Sequence, residues 1–394
     1  MKTQQISFFL MLFFALCQSQ INPVYVTTLT DKWIESSYLD KNTNNLYLCY
    51  SESGEIKKLN LNNPSAGQTV VVSGLSLPTA ATVMSNRLYF IQASNGLDDN
   101  DMPIPNTGKL CYIDLAQQNP TIVTIMSNLN APFRIAAGSD FVIIDENTIS
   151  SSDPDDFDQQ IISKINLTGP VVKTPITTRI WAPDNPSDEA FQHFQVIGNI
   201  MYSNAYYTSE IGSFYKTSLD TNVTSQTHSF TQKAPYSFAI NQNMIYFADG
   251  YSPGNTYKTA LANSNTTIPV TTNFSYSGNI TGFLDWNFDA NGNAYILAES
   301  NVNIYLFKYN SQQLQTADFS RTNSVQIFPN PVADVLHLSP ALGNIKIIDL
   351  SGKIAIQISD AVKDIPVKNL IPGNYILSGK DASGKAASQR FIKK

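Results

Sequence analysis

The chain has 394 residues, a formal net charge of −6 and only 14% charged side chains, against a typical fraction of about 25%. Asparagine, serine, threonine and tyrosine fill the polar positions instead, and the lack of any basic excess argues against a nucleic-acid partner. With 42% hydrophobic residues, a chain of this length can bury a sizeable core.

The first element, Met1 to Ser19, reads as a secretory signal. Lys2 supplies the positive start, Ile6 to Leu16 an apolar core too short to span a bilayer, and Ser19 a small residue that places cleavage before Gln20. A lipoprotein signal needs a small residue before Cys17, and Leu16 is not one. No later stretch approaches the ~18 apolar residues of a membrane helix, so the mature chain is expected outside the inner membrane, with no membrane span. Two cysteines remain after the signal, Cys49 and Cys111, each inside an apolar run. Export permits a disulfide, but two buried free thiols suit those surroundings better, and neither has a base nearby to make it a nucleophile.

Two short patterns then recur, six times each. The first is a turn residue followed by an aromatic or aliphatic strand: Asn45-Leu46-Tyr47-Leu48, Arg87-Leu88-Tyr89-Phe90, Asp140-Phe141-Val142-Ile143, Ile200-Met201-Tyr202-Ser203, Met244-Ile245-Tyr246-Phe247 and Ala294-Tyr295-Ile296-Leu297. The second follows each copy after a variable gap and often opens on glycine, as at Gly54, Gly108, Gly212 and Gly254, with Gln160 and Val302 opening the other two. About four strands per repeating unit is the signature of propeller blades, so six units predict six blades. Proline-containing connections such as Leu77-Pro78, Ala131-Pro132 and Ala234-Pro235 lead from one blade to the next. Closure predicts that Val24 to Thr30 joins the last blade as its outer strand, beside Asn303 to Tyr309, since ring closure stitches the chain ends together and protects an edge. Residues 311–323, polar and without a clear period, read as a linker.

The expected domains are thus a signal peptide at 1–19, a six-bladed β-propeller at 20–310, the linker at 311–323 and a C-terminal β-domain at 324–394. The pairing of a Leu-Tyr-Phe strand with a Lys-x-Asn/Asp-Leu strand resembles the YWTD, NHL and gluconolactonase-like six-bladed propellers. No copy contains Tyr-Trp-Thr-Asp, so that resemblance implies the fold and carries over no site residue.

The tail opens on Phe328-Pro329-Asn330-Pro331, whose prolines push the preceding residues into extended conformation and suit entry into a strand built on Val335, Leu336 and Leu338. Ile345 to Leu350 and Ile354 to Ile358, joined by Ser351-Gly352-Lys353, read as a hairpin. A second hairpin runs from Gly373-Asn374-Tyr375-Ile376 through Asp381-Ala382-Ser383-Gly384 to Arg390-Phe391-Ile392, so the module is expected to be a small immunoglobulin-like sandwich. These motifs, in this order, resemble the type A C-terminal sorting domain of the type IX secretion system of Bacteroidetes. That resemblance implies export to the outer surface, the secretion machinery as partner, and Pro329, Asn330, Pro331, Gly352, Lys353, Gly373 and Tyr375 as sorting-signal residues.

In the propeller, the long connections Gln92 to Thr107, Asp145 to Gln159, Arg179 to Ala190 and Ser203 to Ile211 are expected on one face, and long loops commonly carry function. These loops hold 12 of the chain's 31 carboxylates, with Arg179 their only base. Asp153, Asp155 and Asp158 alternate oxygen donors as Ca²⁺ prefers, without the glycine and distal glutamate of an EF-hand, and a solvated acidic loop explains them as well. Arg134 and His193 are candidates for the channel mouth, where an arginine suits an anionic or sugar ligand; both are equally suited to satisfying carbonyls between blades. Trp181, Tyr206 and Tyr207, with Tyr202 and Trp286, offer rings for a carbohydrate platform or for inter-blade core. With three histidines far apart, a histidine zinc site is excluded. The function expected is a secreted or surface module binding carbohydrate or protein. The alternative is a metal-dependent hydrolase or lactonase using Glu35 and Asp285, and the sequence leaves open whether the chain is an enzyme.

Overall fold

The computed structural model describes residues 21–29, 33–99, 101–149, 157–180, 190–207, 211–250, 252, 254–262, 265–276, 280–301, 303–316, 326–349, 353–380 and 386–394. It divides into two compact units, residues 1–313 and 314–394.

The first unit is built from six four-stranded antiparallel sheets. One contains β2 (Ile34–Asp40), β3 (Asn45–Tyr50), β4 (Glu55–Asn60) and β5 (Gln68–Val72). The next is β6 (Pro78–Met84), β7 (Arg87–Gln92), β8 (Gly108–Asp114) and β9 (Val123–Leu129). The third is β10 (Ile135–Ala137), β11 (Phe141–Ile149), β12 (Phe157–Asn166) and β13 (Val172–Ile180). Two more follow in chain order: β14 (His193–Ile197), β15 (Ile200–Tyr207), β16 (Ile211–Ser218) and β17 (Thr224–Thr231), then β18 (Pro235–Asn241), β19 (Met244–Asp249), β20 (Thr256–Ala260) and β21 (Ile268–Thr271). The last sheet takes three strands from one end of the unit and one from the other: β22 (Ile280–Phe288), β23 (Ala294–Ser300), β24 (Ile304–Tyr309) and β1 (Val24–Leu29). Antiparallel pairing of β1 with β24, from Val24 beside Lys308 to Leu29 beside Ile304, is the closure that the sequence predicts. Inner strands touch in the order β2, β6, β10, β14, β18, β22 and back to β2, so the ring is complete.

Both repeated patterns acquire a cause here. The aromatic strands β3, β7, β11, β19 and β23 lie second in their blades and are buried almost throughout, because both faces pack against neighbouring blades. The glycines open the third strand, where the connection into the next blade crosses. A Cβ on Gly108 would lie 2.5 Å from Cδ of Pro132, one on Gly212 would lie 2.1 Å from Cδ of Pro235, and one on Gly254 would lie 2.7 Å from the Phe274 carbonyl oxygen. Gln160 stands at the matching position of the third blade and meets its connection by hydrogen bonds instead: its Nε2 donates to the Phe191 carbonyl at 3.0 Å and its Oε1 accepts from the Phe191 N–H at 2.8 Å.

Three expectations change. Asp145 to Ile149 and Phe157 to Gln159 are strand, not loop, because β11 and β12 stay paired far beyond their apolar runs. Ser203 to Tyr207 likewise extends β15. The segment expected to be a featureless linker begins with a short helix, Ser311–Thr316, in which Leu314 is buried.

The second unit has six strands: β25 (Gln326–Phe328), β26 (Val335–Asp349), β27 (Ile354–Ile358), β28 (Val362–Pro366), β29 (Gly373–Lys380) and β30 (Ala386–Lys393). The first strand and the first arm of the expected hairpin are one 15-residue strand, β26. Its first part pairs with β25 and β28 and its later part with β27 and β29, with register shifts around Pro340 where it passes between them. Strand β28, with Ile365 buried, adds an element absent from the sequence reading. Val332, Leu336, Leu338, Leu342, Ile345, Ile347, Ile365, Val367, Tyr375, Leu377 and Phe391 form one core between the layers.

Candidate functional site

The six inner strands surround a channel cavity of about 590 Å³, a size that suits a small-molecule ligand. Arg134, His193 and Tyr236 line it where inner strands begin, with Ser37, Gln195 and Asp285 further along. A recess of about 240 Å³ is lined by Glu35, Arg134, Asp145, Gln160 and Gln192.

Most polar side chains in the channel wall are engaged in holding blades together. Asp285 Oδ2 accepts from the Ser37 N–H at 2.8 Å and the Ser37 hydroxyl at 3.0 Å, while Oδ1 accepts from the Trp286 N–H at 3.0 Å. Asn287 reinforces the same seam, accepting from the Leu39 N–H at 3.0 Å and donating to the Ser37 hydroxyl at 2.7 Å. The other five seams have links of the same kind: the Tyr38 hydroxyl to the Val83 carbonyl, Thr79 to the Pro132 carbonyl, Arg134 Nε to the Gln192 carbonyl, Gln195 Oε1 to the Ile240 N–H, and Ser237 to the Phe283 carbonyl. Each is worth about 1 kcal/mol net, and together they satisfy wall groups that a dry channel would leave unpaired.

A second set of polar residues, which the sequence reading missed, closes the second strands. Asp145 Oδ1 accepts from the N–H groups of Phe133 and Arg134 at 2.8 and 2.7 Å, and its Oδ2 accepts from Asn147 at 3.2 Å and Gln160 at 3.0 Å. Asn204 accepts from the His193 N–H at 2.9 Å, Asp249 from the Ala234 N–H at 3.0 Å and Gln92 from the Ser76 N–H at 2.9 Å. Each grips the backbone that enters its own blade. The signal was present: Gln92, Asp145 and Asn204 each stand four residues after the first apolar residue of their strand, and Asp249 stands four after Ile245.

Electrostatics separate the channel groups. Burial pushes the Asp285 carboxyl up to about 6, against the opposing pull of its hydrogen bonds and of Arg134. Burial and the nearby Arg134 guanidinium push the His193 ring down to about 3, so it is neutral at pH 7. Arg134 gives Nε and one Nη2 hydrogen bond, at 3.5 Å, to Gln192; among the described residues Nη1 has no acceptor and no carboxylate lies within ion-pair distance.

The metal candidates do not converge. Glu35 is exposed and accepts from Ser51 at 2.7 Å, while Asp285 is occupied by Ser37 and Trp286. No group of three or more His, Cys, Asp or Glu is placed to hold an ion among the described residues. Asp153 and Asp155 lie outside those residues, and Asp158 is the second residue of β12. Trp181 also lies outside them, and Tyr206 and Tyr207 close β15. Trp286 is core, stacked on Tyr309 at 5.6 Å and 6°, and Tyr202 packs against the aromatic cluster around Phe214. Cys49 and Cys111 are free and buried, the Cys49 thiol pushed up to about 12 by burial.

The tail gives the decisive comparison: residues 326–394 match the family model described as a secretion system C-terminal sorting domain. This segment is a sorting domain. The chain is therefore exported, to the cell surface or beyond, and no helix among the described residues is long and apolar enough to cross a membrane. Among solved structures, the propeller is similar to a luciferin-regenerating enzyme, at 11% identity and a TM-score of 0.52, over 73% of this chain and 95% of that one. A gluconolactonase from Xanthomonas campestris gives 10% identity and 0.48 over 73% and 94%, and the calcium-binding protein regucalcin from Agrobacterium tumefaciens gives 12% and 0.47 over 73% and 93%. At 11% identity the likeness to the luciferin-regenerating enzyme speaks for the fold alone. No curated protein sequence matches the chain.

Within the sorting domain, the motif residues hold the last strand in place. After Pro329, the Asn330 carbonyl Oδ1 accepts from the Ile392 N–H at 2.9 Å and its Nδ2 donates to the Arg390 carbonyl at 3.4 Å. After Pro331, Val332 donates to the Ile392 carbonyl at 2.8 Å and accepts from the Lys394 N–H at 2.9 Å. Lys353 closes the β26–β27 connection through Asp349, Gly373 opens β29, and Tyr375 stacks on Phe391 at 5.6 Å while its hydroxyl donates to the Ile371 carbonyl at 2.9 Å. Gly352 lies outside the described residues.

Proposed function

We propose that this exported protein works outside the cell as a binding module, and that its propeller takes a carbohydrate ligand into the channel. The observation that carries the reading is the 590 Å³ cavity with Arg134 in its wall, an arginine with an unused Nη1 and no carboxylate partner among the described residues. The side-chain amides of Gln192 and Gln195 line the same space, and their Nε2 groups offer donors to the many acceptors of a sugar. The hydrolase reading has less support, because its two carboxylates are held by Ser51 and Ser37 and stand in a wall that also carries a cation. The oxygen-rich run Asp153 to Asp158 is the segment we assign to any Ca²⁺ bound, from its donor chemistry, with a stiffening role. Type IX export through residues 326–394, with the secretion machinery as partner, completes the proposal. Titration of the full chain against a panel of neutral and acidic oligosaccharides tests the ligand: saturable binding is expected, and silence across the panel overturns it.

A further inference from the structure

The cavity's rim narrows the ligand class, and this step rests on the binding reading above. Two large aromatic rings stand exposed where inner strands begin. Tyr236, 41% exposed, lines the cavity at the start of β18, with its ring 6.4 Å from that of the neutral His193. Trp33, 60% exposed, immediately precedes Ile34 and Glu35, which line the cavity, and it holds a left-handed φ of 64°. A tryptophan left in water in that backbone conformation gains nothing for the core, and its backbone is strained where a non-glycine residue rarely sits. The natural occupant for such a ring is the apolar face of a sugar, since a rigid aromatic buries area at small entropic cost.

The same end of the channel holds the Arg134 guanidinium. Its partner Gln192 uses Nε and Nη2, which leaves the Nη1 donors for a ligand acceptor. A guanidinium edge matches a planar carboxylate better than any single hydroxyl. Lys41 and Asp40 line the cavity at the far end of β2, so at the end where β2 begins Arg134 is the cation and Glu35 stands beside it, a balance that suits a singly charged group better than a phosphate dianion.

We propose that the channel binds a carboxylate-bearing saccharide, a hexuronic acid unit whose carboxylate meets Arg134 and whose ring faces pack against Tyr236 and Trp33. The test is calorimetric titration of the full chain with a hexuronic acid disaccharide and with its methyl ester, which keeps the sugar and removes the charge. The free acid is expected to bind at least roughly tenfold more tightly than the ester, the effect of one charge-assisted pair. Arg134→Gln is expected to bring the two within about twofold of each other, and Arg134→Lys to keep part of the preference. Tyr236→Ala and Trp33→Ala, both at exposed positions, are expected to weaken acid and ester alike while leaving the melting temperature unchanged. Since Arg134 also links two blades, each variant's melting temperature is measured, and the Lys variant carries the test where the Gln variant unfolds. Equal binding of acid and ester by the wild-type chain overturns the hexuronic acid assignment and leaves the binding module standing. Absence of binding to either, with neutral saccharides bound, has the same consequence. Silence to every saccharide overturns both.

Discussion

Asp285 and His193 face one channel and titrate in opposite senses. The carboxyl of Asp285 is raised to about 6 in the fold, above the unfolded value near 3.9. The folded state therefore holds the proton more tightly, so the contribution is fully present below pH ~4 and is lost as pH rises through 6. At 8% exposure this cost approaches about 3 kcal/mol at pH 7, from a shift of roughly two units. His193 is depressed to about 3, so its contribution is present above the unfolded pKa near 6.5 and is lost as pH falls toward 3. Between about pH 6 and 4 the two slopes are opposite and cancel, so over the range from about pH 6.5 to 3 the wild type is expected to stay nearly level at first and to lose the remainder of the His193 contribution below pH ~4. Thermal melts across that range check both groups. His193→Gln should flatten the acid loss, while Asp285→Asn should steepen it, at the further cost of turning an amide donor toward the Ser37 N–H that Asp285 now accepts.

At the scale of elements, the blade is a strand pair gripped at both ends of the incoming connection. Asp145 accepts four hydrogen bonds, two of them from the N–H groups of Phe133 and Arg134. Asp145→Ala should leave those donors buried without partners, a loss of about 2–4 kcal/mol in denaturant unfolding. At the other end, Gly212→Ala places a Cβ 2.1 Å from Pro235, so the connection must shift, and a comparable loss is expected in the same measurement. Ala at Gly67, where a Cβ meets nothing within 4 Å but φ is 77°, isolates backbone strain from close approach, with an expected cost of about 1 kcal/mol. The strand pattern and the opening glycines were visible in the sequence because packing on both faces and a backbone crossing impose them locally. The grips were not, because Asp145 and Asn204 read as loop acids and amides until the pairing of β11 with β12 and of β15 with β16 is known. The channel site was legible only in Arg134, His193, Glu35 and Asp285; Trp33 and Tyr236 carry no local signal that separates an exposed rim ring from a core one.

For the molecule as a whole, ring closure is the long-range step. Strand β1 reaches the last blade only after nearly three hundred residues have folded, and a contact of that separation is slow to form. Its register places Leu29 against Ile304, and Leu29 joins a core with Ile34, Leu46, Leu297 and Leu306 from the first and last blades. Thr271, at the end of the outermost strand β21 of the fifth blade, adds a second fastening, its hydroxyl donating to the Ile21 carbonyl and sharing a 2.8 Å hydrogen bond with the Tyr309 hydroxyl. Leu29→Ala is therefore expected to cost about 2–5 kcal/mol, and removal of residues 21–29 from the mature chain should expose the β24 edge and drive association, read as loss of the monomer peak in size-exclusion chromatography. Deletion of residues 326–394 makes the contrasting experiment. The propeller's own closure involves none of those residues, so the truncated chain is expected to keep the wild-type propeller melting transition while failing to reach the outer surface, accumulating instead in the periplasm. Fractionation of cells expressing both chains separates the two roles: surface appearance of the truncated chain would refute export by the sorting domain, and loss of the melting transition would refute independent closure of the ring.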